Sequence, residues 1–411
     1  MQGNSHDDVR RHNLSTILRL VHRGGAASRA QLTRQTGLNR STVGTLVAEL
    51  GERGLVEERT PDPTKLAGRP SPIVVASDRV VAIAVNPEID AITVGVVALS
   101  GVVHRSIRFA TSSSPTAVEA VAITAGIVDD LRNALSQYSI IGIGLAVPGL
   151  VRASDGLVRH APHLGWVDEP LCDLLAAATG LPVVAANDAS LGASAERYFG
   201  AGQGMTDLIY LNGGSSGIGG GLVVGGMATG GRAGYAGEFG HTRVSASGRA
   251  DSAGIAGTLE AEVTRDALLT VLGLQASETD ADTLERALLA SDSPSVHAEV
   301  GRQLDFLAVA LAGAVNVLNP QLIVLGGFLA ALHAADPDRL SRAVAALSLG
   351  TAFDGVQIAP ALLGSNLLLI GAAELAFEAL LLDPQLDRGN TLGLPALSVK
   401  AAGSPAASIP H

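Results

Sequence analysis

The sequence predicts an α/β protein made of an N-terminal winged helix-turn-helix followed by a larger body of two similar lobes. Three observations support this fold class. Residues 12–59 show helical periodicity, and residues 60–78 are punctuated by proline and glycine. From Val80 onward, a β-β-β-α-β order of segments occurs once and then recurs more weakly. Two similar halves imply a cleft between them.

Spacing and capping residues predict the first two helices. One apolar stripe with spacing i, i+3, i+4, i+7 marks the first helix: Leu14, Ile17, Leu18 and Val21. Ser28 and Gln31 form a capping-box pattern, and Gly37 is a typical helix stop. A short second helix is therefore expected from Arg29 to Thr36.

A third helix is expected from about Arg40 to Arg53, ended by Gly54. Its apolar stripe has four members: Val43, Leu46, Val47 and Leu50. Short side chains occupy the opposite face and the N-terminal end: Ser41, Thr45 and Ala48, with Arg40 and Thr42. Short hydroxyls led by an arginine suit entry into a DNA major groove. Segments 55–58 and 73–75 are predicted to form the strands of the wing.

Charge is divided unevenly along the chain. Residues 1–70 contain eleven Lys or Arg against seven Asp or Glu, whereas the remainder contains seventeen against thirty-two. An acidic body repels nucleic acid, so contact with a DNA operator is expected through the basic N-terminal segment. The alternative is a three-helix bundle that docks onto another protein, which the basic charge and the wing disfavour.

The body is expected to contain two α/β lobes. The first has strands at 80–85, 92–99, 102–109 and 140–147 and a helix at 115–137. The second has strands at 208–211, 219–224 and 322–325 and a long helical segment ending near Leu318. The predicted domains are a head at 1–59, a wing and linker at 60–78, lobes at 79–190 and 191–365, and a flexible tail at 388–411. A helix near 366–382 is expected to complete the first lobe.

Cysteine content and hydropathy favour a cytoplasmic protein without membrane association. The single cysteine, Cys172, lies in an apolar run and is expected to be buried. No charged side chain occurs from Phe306 to Ala335, but the break at 319–321 divides this stretch into a helix and a strand. Neither piece is expected to reach the ~20 residues of a membrane span. Residues 1–11 are polar and lack an apolar signal core.

A glycine cluster at 213–221 fits neither the dinucleotide-binding pattern nor the P-loop pattern. Two interpretations remain open. Backbone N–H groups of a glycine-rich turn can cradle a phosphate, or the glycines can simply allow a tight hairpin.

Motifs throughout the chain resemble the ROK (repressor, ORF, kinase) family. In the head they are Ser28-Arg29-Ala30-Gln31-Leu32, Thr36-Gly37-Leu38, Ser41-Thr42-Val43 and Gly68-Arg69-Pro70. In the body they are segments 141–149, 162–166, 187–189, 237–241 and 323–327. The resemblance implies an actin-like (ribonuclease H-like) pair of lobes with a sugar held in the cleft. With the pattern of the third helix, it makes these the candidate DNA contacts: Arg40, Ser41, Thr42, Thr45 and Arg69.

Two departures from the family pattern concern kinase chemistry and zinc. Family kinases carry an Asp-x-Gly-x-Thr phosphate loop, where this chain has Asn86-Pro87-Glu88-Ile89-Asp90. Two carboxylates would repel the ATP polyphosphate, so no kinase activity is expected. The family's three zinc-binding cysteines are absent from segment 251–258, and His241 with Asp251 is too few ligands for structural zinc. No metal and no cofactor are expected, and packing and hydrogen bonds must hold this loop.

The family's sugar-contacting positions are retained: Asn187, Asp188, Glu238, His241 and Glu260. Such groups suit sugar hydroxyls, which both donate and accept hydrogen bonds. An alternative is that Asn187 and Asp188 merely cap a helix. His163 stands where many relatives have Asn, so some sugar contacts are expected to differ. The chain is thus interpreted as a homodimeric or homotetrameric repressor with a sugar or sugar-phosphate effector. An active kinase that also binds DNA, and a repressor controlled by a protein partner, are the alternatives.

Overall fold

The computed structural model describes residues 6–60, 72–131, 134–214, 217–246, 248–276 and 279–386. The central part of the predicted wing and linker, with Arg69, lies outside the described residues. So does the predicted tail at 388–411.

The head follows the helix signals of the sequence closely. Its elements are α1 (His6–Gly24), β1 (Ala27–Ser28), α2 (Arg29–Thr36), α3 (Arg40–Glu52), β2 (Val56–Arg59) and β3 (Ile73–Ala76). The Ser28 capping box is present at α2, and Gly37 ends that helix with a left-handed φ of 71°. Asn39 caps α3. β3 pairs antiparallel with both β1 and β2, which confirms the two wing strands and adds a third that was not predicted.

The first lobe is built on a five-stranded sheet. Its elements are β4 (Val80–Pro87), β5 (Ala91–Ala98), β6 (Val103–Ala110), α4 (Ala117–Leu131), β7 (Ser139–Val147), β8 (Leu150–Val151), β9 (Val158–Ala161), β10 (Trp166–Glu169), α5 (Leu171–Thr179) and β11 (Val183–Asn187). The sheet order is β11-β7-β4-β5-β6, and β8, β9 and β10 form a small separate sheet. The helix predicted over 115–137 is shorter than expected, since α4 ends at Leu131.

The second lobe repeats this topology. Its elements are α6 (Asp188–Phe199), β12 (Leu208–Gly214), β13 (Gly217–Val224), β14 (Met227–Ala228), α7 (Leu259–Glu262), α8 (Arg265–Leu272), α9 (Ala281–Leu289), α10 (Pro294–Leu318), β15 (Leu322–Gly327), α11 (Phe328–Ala335), α12 (Pro337–Leu347) and β16 (Gln357–Pro360), and α13 (Leu367–Leu382) follows. The sheet order is β14-β13-β12-β15-β16. From β16 to β14 the neighbouring strands form two parallel pairs and then two antiparallel pairs, the same pattern as from β11 to β6 in the first sheet. The glycine cluster lies in the antiparallel β12–β13 hairpin, as one of its two interpretations expected.

Two helices join the lobes and the head. α13 packs against β4, β7 and α6, while α6 packs against β12 and β13. α13 lies so close to the sheet that a Cβ on Gly144 of β7 would overlap the backbone oxygen of Ala372. One apolar cluster runs from the head into this region and includes Leu14, Leu50 and Phe377. The core of the head is therefore continuous with that of the body.

Two apolar helices are long enough to cross a bilayer, Pro294–Leu318 and Gly364–Leu382. The uncharged piece 306–318 is as short as expected, but the helix α10 that contains it is longer. This helix begins well before the uncharged stretch and includes Glu299 and Arg302, which pair at 2.7 Å. More than half of the most apolar window of each helix is buried inside the protein, as in core helices of globular proteins.

Candidate functional site

A cavity of about 300 Å³ lies between the lobes. Its wall contains all five predicted sugar-contacting residues: Asn187, Asp188, Glu238, His241 and Glu260. They come from the end of β11, the start of α6, the short 3₁₀ turn around Phe239 and the helix α7. The cavity lies beyond the carboxyl ends of β7 and β11, where open α/β sheets commonly bind their ligands.

Asn187 and Asp188 start helix α6 and line the cavity at the same time. The Oδ1 of Asn187 accepts a hydrogen bond from the Ser190 N–H at 2.9 Å, and its Nδ2 donates to the Gly149 carbonyl at 3.1 Å. The capping interpretation of Asn187 is therefore correct, and it is compatible with a place in the cavity wall.

The carboxyl group of Asp188 is half-buried in the cavity wall. Burial raises the pKa of Asp188 to about 7, and the nearby charge of Glu238 contributes to the rise. The hydrogen bond that the carboxylate accepts from the Ala189 N–H at 2.7 Å acts in the opposite direction and lowers the pKa. A carboxyl group that titrates near neutral pH can either donate to or accept from a sugar hydroxyl.

The second wall holds three interacting ionisable groups. Burial raises the pKa of Glu238, against the attraction of His241 and with the repulsion of Glu260. Burial disfavours the charged form of His241, but the hydrogen bond from its Nδ1 to Asp251 at 2.8 Å and the nearby carboxylates outweigh that effect and raise its pKa. Since Nδ1 is occupied, Nε2 is the ring nitrogen left for a ligand.

Asp251 organises the loop that carries the zinc cysteines in relatives. Its side chain is fully buried. Oδ1 accepts from the backbone N–H groups of Ala253 and Ile255, and Oδ2 accepts from Thr258 Oγ1 at 2.9 Å as well as from His241. Hydrogen bonds from one carboxylate thus fix both the loop and the ring.

Three potential ligands do lie together, since ligand atoms of His241, Asp251 and Glu260 fall within 4.8 Å of one another. The carboxylate oxygens of Asp251 and Glu260 each already accept a hydrogen bond, and Nε2 of His241 is the one ligand atom of the three residues that lacks a partner among the described residues. Glu260 accepts from Ser252 Oγ at 2.6 Å and from the Ile218 N–H at 3.1 Å, and both oxygens of Asp251 are occupied. A tetrahedral structural zinc needs four free donor atoms, so these residues do not fit it.

We expect the protein purified without chelators to contain far less than one zinc per chain. Asp251→Ala should lower the free energy of unfolding by about 3 kcal/mol, because it removes the acceptor of four hydrogen bonds, one of them from the buried Thr258. Metal analysis and urea unfolding measure these two quantities, with the exposed Asp173→Ala as the matched control. Stoichiometric zinc that survives dialysis would contradict the expectation.

The β4–β5 hairpin occupies the place of the family's phosphate loop. Burial raises the pKa of Glu88, and Arg108 on β6 lies 3.7 Å from it. Arg108 also pairs with Asp90 at 2.9 Å. The two carboxylates thus carry a partner cation, which weakens the repulsion argued from the sequence. Neither is among the residues that line the cavity.

Sequence reasoning missed several residues of the cavity wall: His160, Asn212 and Ser252. His163, expected to alter the contacts, also lines it. The motifs at 162–166 and 187–189 flank this surface, but only the folded β8–β10 sheet brings His160 to it.

The predicted DNA contacts occupy one surface of the head as far as the described residues extend. Arg40, Ser41 and Thr45 are exposed on α3, and Thr42 is half-buried. The apolar stripe on the opposite side of α3 is buried. Arg69 lies in the part that the structure does not describe.

Comparisons with known proteins match both parts of the chain. A ROK family model matches residues 83–379, and a MarR family model matches residues 15–65. A putative xylose repressor of Caldicellulosiruptor sp. is 28% identical over 337 residues, covering 78% of this chain and 84% of the relative. A glucokinase of Halalkalibacterium halodurans is 31% identical over 288 residues, covering 65% and 86%.

A crystal structure of a ROK family transcriptional regulator, homologous to the E. coli MLC protein, has the same fold. Its TM-score is 0.74 at 22% identity, over 91% of this chain and 97% of that one. A winged helix on a two-lobed, actin-like body with a polar cavity defines the class of transcriptional regulators built on a sugar-kinase scaffold. The chain belongs to the ROK family.

Proposed function

We propose that this regulator is a cytoplasmic repressor whose operator affinity is controlled by a sugar or sugar derivative in the inter-lobe cavity. The observation that carries the proposal is the convergence of five polar residues from separate elements on one cavity. Carboxylates, an amide and an imidazole meet ring hydroxyls from both sides, which suits a polyhydroxylated ligand. The xylose repressors among its relatives favour a sugar of this kind. Thermal unfolding of the full chain with a panel of sugars tests it, since binding to the native state raises the Tm.

A single helix connects this cavity to the head. α6 begins at Asp188 in the cavity wall and ends at Phe199, whose ring lies 5.4 Å from that of His22 in an edge-to-face contact. The guanidinium of Arg23 lies 3.8 Å over the ring of Tyr198. A sugar that binds two lobe arrangements unequally would shift α6, and with it the heads of a homodimer or homotetramer.

Phosphate transfer is not part of the proposed function. With ATP and a panel of hexoses, pentoses and amino sugars, we expect no turnover above an Asp188→Asn control. The physical reason is the loss of the phosphate loop, where Glu88 and Asp90 stand in place of the residues that approach ATP. A coupled assay measures this, with a ROK glucokinase as the positive control. Turnover that Asp188→Asn abolishes would restore the kinase interpretation.

Operator binding is assigned to the outer face of α3. Arg40→Ala should weaken operator binding by roughly 5- to 150-fold, the loss expected for one good base or phosphate contact. Fluorescence anisotropy at fixed salt measures it, and Arg342→Ala, an exposed arginine on α12, is the matched control. Unchanged affinity in a folded Arg40→Ala protein would remove α3 from the interface.

A further inference from the structure

A second cavity, of about 610 Å³, lies between the head and the body. Its walls come from α1, α2 and the end of α6: Thr16, Arg19, Leu20, Arg23, Gln31, Gln35, Arg197 and Tyr198 are among them. None of its residues lines the cavity between the lobes. The volume lies in the range of small-molecule sites.

The charge of this junction cavity is unusual for an acidic protein. The chain has a net charge of −11, yet the cavity wall contains three arginines and, within the described residues, no carboxylate. Arg23 is neutralised, because its Nε donates to Glu374 at 2.7 Å. Arg19 and Arg197 form no ion pair with any described residue.

The Nε atoms of Arg19 and Arg197 are also buried without a hydrogen-bond acceptor among the described residues. Buried N–H groups of native proteins nearly always have a partner, and an orphan commonly marks an ion or solvent molecule. The two arginines, one from the head and one from the body, line the same cavity. An anion with several oxygens could accept from both.

We propose that the junction cavity binds a small phosphate-bearing metabolite through Arg19 and Arg197. The guanidinium fork pairs best with carboxylate and phosphate, and a phosphate has enough oxygens to serve two forks from opposite walls. Leu20 and Tyr198 provide apolar surface for the remainder of the molecule. This site is separate from the sugar cavity and does not depend on the proposed sugar. Its ligand would link α1 to α6 and so hold the head against the body.

Calorimetric titration of the full chain at constant ionic strength tests the site, with inorganic phosphate and glucose 6-phosphate as the two probes. Arg19→Gln and Arg197→Gln should each weaken binding by about tenfold to a hundredfold, as expected for a charge-assisted hydrogen bond. Two controls should bind phosphate with wild-type affinity. They are Arg105→Gln, at an exposed position, and Asp188→Asn, in the separate cavity between the lobes. In the Asp188→Asn background, where the inter-lobe cavity is expected to lose its sugar contacts, tighter binding of glucose 6-phosphate than of inorganic phosphate assigns the remaining space of the junction cavity to the sugar, and equal affinity assigns only the phosphate.

Three outcomes would overturn the proposal. The first is wild-type phosphate affinity in the Arg19→Gln, Arg197→Gln double variant. The second is a loss of phosphate affinity in Arg105→Gln as large as that in the cavity variants, and the third is loss of phosphate binding in Asp188→Asn. If the double variant loses operator affinity but keeps phosphate affinity, the arginines contact the DNA backbone instead. Should either glutamine variant fail to fold in thermal unfolding, Arg19→Lys and Arg197→Lys replace it. They keep the charge and remove the fork, so a smaller loss of affinity in the same direction is expected.

Discussion

Replacing Glu374 by glutamine is expected to lower the free energy of unfolding by about 3–5 kcal/mol, the cost of breaking a buried ion pair from one side. Glu374 is almost fully buried on α13, where burial would raise its pKa, but His22 and Arg23 outweigh burial and lower it. His22 Nε2 donates to Glu374 at 2.5 Å, and its Nδ1 faces the Leu99 carbonyl. Both ring nitrogens of His22 therefore face oxygen acceptors inside the protein.

The variant therefore leaves Arg23 of the head without its counter-charge and weakens the acceptor of the His22 ring. Equilibrium urea unfolding measures the loss, and Glu378→Gln, an exposed position on the same helix, is the matched control. A loss no larger than that of the control would mean that this ion cluster does not stabilise the head on the body.

Replacing Asp188 by asparagine is expected to abolish the sugar response while operator binding stays within about twofold of wild type. The wild-type response should amount to roughly 5- to 150-fold in operator affinity, the usual range of allosteric coupling. Asparagine removes the charge and alters the hydrogen-bonding pattern of this half-buried carboxyl group, so ring hydroxyls lose their partner. Sugar titration of protein bound to its operator measures it, with Asp173→Asn as control. A full response in the variant would contradict a role for Asp188.

The same substitution should change the dependence of stability on pH. The pKa of Asp188 is raised to about 7, whereas an unfolded aspartate ionises near pH 4. Between these values the unfolded chain binds fewer protons, so the wild-type free energy of unfolding falls as pH rises. Asparagine removes that contribution. At pH 8 the free energy of unfolding of the ligand-free variant should therefore exceed that of the ligand-free wild type by up to about 4 kcal/mol. A wild-type curve parallel to that of the variant from pH 4 to 8 would contradict the raised pKa.

Local signals in the sequence were sufficient for the head and for most of the sheets. The capping box at Ser28 and the stop at Gly37 define α2 because capping acts within a few residues. Short apolar runs rich in β-branched residues likewise located β4, β5 and β7. The cavity residues came from motif resemblance, since residues 187 and 260 meet only through the tertiary fold.

Other features had no local signal. Glu374 occurs in an otherwise apolar helix, and its partner His22 lies 352 residues earlier in the chain. In the sequence, Asp251 stands out only as a possible metal ligand, whereas its two carboxylate oxygens accept four hydrogen bonds that fix the loop and the His241 ring. Such roles depend on which groups surround a carboxylate, and a lone acidic residue in a sequence does not specify its neighbours.

The continuous core limits how this protein can be recombined. Ser15 of α1 donates a hydrogen bond to the Leu381 carbonyl at 2.6 Å, and apolar side chains of head and body share one cluster. A graft of residues 1–78 onto another body would have to bring the matching surface of α13 with it. Because head and body share one core, they are expected to unfold as one cooperative unit. Changes in operator or effector preference are therefore expected to arise more readily by substitutions within this unit than by exchange of whole heads.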